Sequence, residues 1–233
     1  MVYLLGWSLI YAAVIIQLGT RYRGSAIILM ILPYFAGLAF LRGRVGTDTG
    51  SYQLMFQGFS ERFYQWDGIE PGFIALAKAL LAIMPDIDLA VRATALVFFA
   101  LLAIYVIRGD QNARFFFIAY FLPTSAYILS MNAIRLGFAI TILLFAAQAI
   151  RKGTLKRVFL IGLPAIFFHY TALFGLTYLI ASQRPWLKFY SFLGILLLIL
   201  LSIGLFFMAD IYFINKITDY APQDGAGSKF LLT

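Results

Sequence analysis

Apolar residues in this chain come in long unbroken runs, not in alternation with polar ones. The clearest runs cover 2–18, 25–41, 89–107, 115–129, 133–150, 158–181 and 189–208. Most approach the ~20 residues that a helix needs to cross hydrocarbon. Inside a bilayer the backbone N–H and C=O groups meet no water, so only helices or closed barrels span it. A barrel strand alternates apolar and polar positions, and these runs do not. The pattern therefore predicts an all-α fold: a polytopic transmembrane helix bundle, one domain over 1–233, with about seven spanning helices.

Two segments depart from the spanning pattern. Between the second and third runs lies a polar insert, 42–71, in which Tyr52, Phe56, Phe59 and Phe63 recur at helical spacing on one face. Gln53, Gln57 and Glu61 lie toward another face, and Trp66 follows. This predicts an external amphipathic helix resting in the membrane interface. The run 72–84 would be only about 20 Å long as a helix and carries Lys78 in its middle. It is expected to be re-entrant or to lie on the surface.

Composition supports the membrane reading and redirects the charge argument. The chain is 63% hydrophobic and 12% charged, against roughly 25% charged in an ordinary soluble domain. A net charge of +8 would suggest nucleic acid in a soluble protein. Here the cations sit in short turns: Arg21 with Arg23, Arg108 with Arg114, and Arg151, Lys152, Lys156 and Arg157. Such turns face the cytoplasm. That places the N-terminus and the 42–71 insert outside, and treats 72–84 as a non-crossing segment. Arg184 and Lys188 then also fall outside, unless 158–181 breaks near Pro164 and returns. The N-terminus lacks a basic n-region, so the first run is expected to be a retained helix and not a cleaved signal. No cysteine is present, which excludes disulfide and thiolate chemistry in this chain.

Ionisable residues near or within a bilayer are functional suspects, and each has a structural reading beside it. Arg42, Arg44 and Asp48 mark the end of the second run. They read either as helix anchors and a cap or as an anion site, since guanidinium pairs bidentately with phosphate. Glu70 precedes Pro71 and reads as a helix-start residue or as a general base. Asn132 and Arg135, three apart, share a helical face; the arginine either snorkels to the surface or holds a diphosphate. His169 is the lone histidine, which rules out a histidine-cluster metal site. It reads as a packing residue or as an acid, base or diphosphate donor. Asp86 and Asp88 read as a loop pair or helix cap.

Four of these stretches, in order, resemble one family. RVGTDTGSY (44–52), EPGF (70–73), NAIR (132–135) and FFHYTALF (167–174) are similar to motifs of the EpsG-like proteins, bacterial membrane proteins of exopolysaccharide and capsule biosynthesis akin to Wzy-type polymerases. The resemblance covers roughly 38–181. It implies a membrane-embedded glycosyltransferase that joins oligosaccharide repeats carried on undecaprenyl diphosphate, at the outer face of the bacterial cytoplasmic membrane. Arg44, Asp48, Tyr52, Glu70, Asn132, Arg135 and His169 match the family pattern, and Arg42 is added from its position. On this reading Glu70, Asp48 and His169 are catalytic. Arg42, Arg44, Tyr52, Asn132 and Arg135 bind the substrate. The expected mechanism uses no metal, cofactor or nucleotide sugar: a carboxylate deprotonates the incoming hydroxyl, the arginines hold the diphosphate, and His169 assists the leaving group. Expected partners are the lipid-linked oligosaccharide, membrane lipid and other components of a polysaccharide export complex, with no nucleic acid.

Family members usually continue with further spans, and the stretch around Tyr220 resembles the loop before them. The expectation is a truncated copy, a fragment or a short variant, ending beyond 209–233. Two other function classes remain open at this point. One is a transporter or flippase component for the same lipid-linked glycan. The other is an inactive, truncated scaffold of the same pathway.

Overall fold

The ends of the helices are set by a few polar side chains. In the computed structural model, which describes residues 2–20, 24–42, 48–60, 69–150, 155–182 and short helical pieces at 192–194, 196–197 and 199–200, Asp86 opens the longest helix by accepting the Leu89 N–H at 2.7 Å. That helix, α5, runs Ile87–Arg108. Its last carbonyls, Val106 and Ile107, accept from the Arg114 guanidinium at 2.9 and 3.1 Å. A cation thereby closes the negative end of the helix dipole. Asp110 repeats the N-terminal device for the next helix, accepting from Ala113 N–H at 2.8 Å.

Helices make up the regular structure among the described residues, with no strand. Before α5 come α1 (Val2–Thr20), α2 (Ser25–Phe40), α3 (Thr49–Ser60) and α4 (Pro71–Ile83). After it come α6 (Gln111–Phe116), α7 (Leu122–Met131), α8 (Ile134–Ile150), α9 (Leu155–Gly162) and α10 (Ala172–Ala181). Between α6 and α7, residues Phe117–Phe121 form a π-turn. Pro123 explains it: without an N–H it leaves the preceding turn unbonded, and the Leu122 N–H reaches back to the Phe117 carbonyl. Among the described residues two stretches, Ile87–Arg108 and Gln111–Met131, are long and apolar enough to cross a bilayer. The chain divides into two units, Met1–Gln183 and Arg184–Thr233. Arg21, Arg23, Arg44, Glu61, Phe63, Trp66, Arg151, Lys152, Arg184, Lys188 and the tail after 200, Tyr220 included, lie outside the described residues.

Phe35, Phe56, Phe73, Phe98, Phe117 and Phe138 are fully buried, and α2 lies along α5 in the most extensive helix pairing among the described residues. The insert helix α3 presents Tyr52, Phe56 and Phe59 on one buried face, as the spacing predicts. That face meets protein: Phe73 of α4 lies 5.7 Å from Tyr52 and 6.0 Å from Phe56, ring to ring. Gln53 on the flank of α3 donates to Asp88 in the first turn of α5 at 2.6 Å. Thus α3, α4 and the start of α5 form one layer at one end of the bundle.

The run 158–181 departs from an uninterrupted helix. It breaks into α9, a 3₁₀ segment Leu163–Phe167, a turn at 168–171 and α10. Pro164 supplies the reason, since it has no N–H to continue the α-helical ladder. The chain then doubles back. A Cβ on Gly162 would strike the Leu176 side chain, and Leu179 packs with Val158, Ala146 and Ala149. Residues before and after the break therefore pair in reverse order, an antiparallel hairpin beside α8. Small residues make its seam: Ala139, Ala165 and Ala172 pack together, the composition that lets helices approach closely in a bilayer.

Candidate active site

The break that ends the 3₁₀ segment carries His169 to the start of two other helices. Glu70, the residue before Pro71 of α4, has extended backbone, and its carbonyl accepts from Phe73 and Ile74 N–H at 3.1 and 3.2 Å. Its side chain does not cap the helix. Instead Oε2 accepts from Arg135 Nη1 at 2.6 Å, and Oε1 lies 3.4 Å from His169 Nδ1. The first is a short charge-assisted bond. The second is long, in the range that unliganded catalytic contacts show before substrate tightens them.

Burial separates the roles of the three. The Glu70 side chain is 4% exposed, while Arg135 and His169 are 23% and 30% exposed. The carboxylate sits behind, and the cation and imidazole face outward from it. A carboxylate beside Nδ1 favours the tautomer with the proton on that nitrogen, leaving Nε2 with its lone pair. Thr171 Oγ1 is also 3.5 Å from Nδ1.

Tyr52 joins from α3, its phenol close enough to the Arg135 guanidinium for the two to interact electrostatically. Burial holds its phenol above the ordinary value, Arg135 offsets part of that, and Asp48 adds to it. The phenol is therefore neutral at physiological pH. Asp48 directly precedes α3, and its carbonyl accepts the Tyr52 N–H at 3.0 Å. Four helix starts, α3, α4, α8 and α10, thus contribute to one cluster.

The remaining expected site residues are distributed as follows. Asn132 ends α7 three residues before Arg135, and its Oδ1 is buried without a hydrogen-bond partner among the described residues. Arg42 is buried and donates from Nη1 to the Ser130 carbonyl at 2.8 Å, fastening the end of α2 to the end of α7. Arg44 lies outside the described residues. Asp86 is the expected cap, whereas Asp88 is the acceptor that anchors α3. Among the described residues no three His, Cys, Asp or Glu side chains gather as a metal site would require.

Gly72 is the position that sequence reasoning passes over. A Cβ there would stand 2.7 Å from the Phe167 carbonyl oxygen and 3.0 Å from its carbon, both backbone atoms that cannot swing away. Only glycine lets α4 approach the 3₁₀ segment and bring Glu70 to His169. Gly72→Ala is expected to destabilise the protein by about 1–3 kcal/mol, the usual cost of overpacking, and to weaken the Glu70–His169 contact. A thermal melt in detergent checks the first effect; an unchanged Tm would show that the approach is not tight.

A family model matches residues 25–232, which includes every residue of the cluster. No curated protein and no solved structure gave a match. The match spans nearly the whole chain: this protein belongs to the EpsG family, membrane proteins of polysaccharide biosynthesis.

Proposed function

We propose that the chain is a multi-pass protein of the bacterial cytoplasmic membrane that polymerises oligosaccharide repeats carried on undecaprenyl diphosphate. The observation that carries this reading is the Glu70–Arg135–His169 cluster, with its buried carboxylate and its outward cation and imidazole. In the proposed topology the Glu70 end faces outside and the basic turns face the cytoplasm. The α9–α10 hairpin supports it: α10 returns to the basic end, and Arg184 follows two residues after Ser182 along the chain. A returning hairpin is the arrangement under which Arg184 and Lys188 need not fall outside.

The reaction is a displacement at the anomeric carbon of the donor sugar. An acceptor hydroxyl forms the new C–O bond, the bond from that carbon to the diphosphate oxygen breaks, and the lipid diphosphate leaves with the electron pair. His169 Nε2 takes the hydroxyl proton, and Glu70 orients the imidazole and stabilises the charge it gains, as a carboxylate does behind a catalytic histidine. Arg135 stabilises the negative charge that grows on the leaving diphosphate. This assigns Glu70 a positioning role, because a 4% exposed side chain does not reach an acceptor that His169 meets first.

The test is polymer length in a strain whose own copy is deleted, complemented with this chain. Restored long chains are expected. Surface display of single repeats only would instead identify a component of export, and unchanged polymer length in the deletion would sink the polymerase reading.

A further inference from the structure

At the end of the bundle opposite Glu70, α5, α6, α8 and α9 enclose a groove of ≈ 1010 Å³. That volume lies at the top of the roughly 300–1,000 Å³ range of small-molecule sites. Its walls are apolar, with Ile104, Phe145 and Ile161 among them. Arg108 and Arg157 also line it, and both are exposed. Their neighbour Arg114 is engaged on the carbonyls that end α5. Arg108 and Arg157, by contrast, make no hydrogen bond or ion pair among the described residues. The acid of the lining, Asp110, has one carboxylate oxygen on the Ala113 N–H. Gln148 donates to the Tyr105 carbonyl at 3.0 Å. The groove thus combines two guanidinium groups that have no partner among the described residues with a long apolar wall, and the proposed glycosyl-transfer site makes no use of it.

We propose that this groove binds one anionic phospholipid from the leaflet at the basic end, its phosphate between Arg108 and Arg157 and an acyl chain along Ile104, Phe145 and Ile161. Guanidinium forks match phosphate oxygens, and the chain-lined wall distinguishes a lipid from free phosphate. The inference rests on the membrane placement proposed above, and not on the chemistry at Glu70.

The test is native mass spectrometry of the full chain released from micelles containing phosphatidylglycerol or phosphatidylcholine with identical acyl chains. One retained phosphatidylglycerol is expected, with phosphatidylcholine retained at least about tenfold less, since each basic residue near an anionic lipid contributes roughly fivefold. Arg108→Ala with Arg157→Ala removes that preference. Lys156→Ala, an exposed neighbour that does not line the groove, leaves it intact. Ala147→Trp, which narrows the groove and keeps both charges, also loses the lipid. Equal retention of the two lipids, an unchanged double variant, or displacement of the lipid by inorganic phosphate alone would overturn the proposal. Polymer elongation by the same preparations separates the two readings. A wild-type chain that keeps its phosphatidylglycerol without elongating any glycan refutes the polymerase reading alone, and Glu70→Gln is expected to retain the lipid.

Discussion

Glu70→Gln lowers polymer elongation by about 10³- to 10⁴-fold, the scale at which a carboxylate behind a catalytic histidine acts, while the chain still accumulates in the membrane. Both carboxylate oxygens have assigned work: Oε2 accepts from Arg135 at 2.6 Å and Oε1 faces His169 Nδ1 at 3.4 Å. An amide keeps the shape and loses the charge. It presents an NH₂ group to one of two donors, so either the guanidinium or the imidazole loses its acceptor. The Arg135 side chain retains 23% exposure, so water compensates part of the loss. The stability cost then stays near the ~1–3 kcal/mol of an unsatisfied polar group and below that of a fully buried broken pair. Elongation rates per membrane-inserted chain measure the effect. Activity within tenfold of wild type would remove Glu70 from the mechanism.

Arg135 has the second largest expected effect. Arg135→Ala abolishes polymer and leaves insertion intact. Arg135→Lys retains the charge and still falls by about 10²- to 10³-fold, as when an electrostatic donor to a transition state is lost. The guanidinium bonds Glu70, interacts electrostatically with the Tyr52 phenol, and still has N–H groups for a diphosphate. An ammonium is a point charge that does not hold this fork. The split between kcat and KM discriminates roles. A fall carried by kcat marks charge stabilisation at the leaving group, whereas a rise in KM alone marks ground-state donor binding. Polymer of ordinary length from Arg135→Ala would refute the assignment.

The helical class was legible because the apolar runs are continuous, and the cluster was legible as types because charged residues are scarce among them. Glu70, Arg135 and His169 stand out as ionisable residues flanked by apolar stretches, and sequence alone names all three. Their mutual geometry was not legible. Glu70 reads as a helix-start residue because Pro71 follows it, yet its side chain turns away from the helix to two partners 65 and 99 positions later. That choice depends on α4 approaching the 3₁₀ segment at Gly72, a long-range contact with no local signature beyond a glycine in the first turn. The same limit applies to α3. Its aromatic stripe is visible as periodicity, but periodicity cannot say whether the stripe meets lipid or Phe73. The hairpin at Pro164 lies between these cases. Proline marks the break, and the cation count at Arg184 and Lys188 argues that the chain returns, but only the packing of Gly162 against Leu176 and of Val158 against Leu179 gives the hairpin its register.

The most direct test of the central claim is product length from purified full chain in nanodiscs, supplied with undecaprenyl-diphosphate-linked repeats and no nucleotide sugar. The account predicts a ladder of lengthened glycans with free lipid diphosphate released once per joining step, absent with Glu70→Gln and Arg135→Ala. Unextended donor with the wild-type chain, or an identical ladder from both variants, would contradict it.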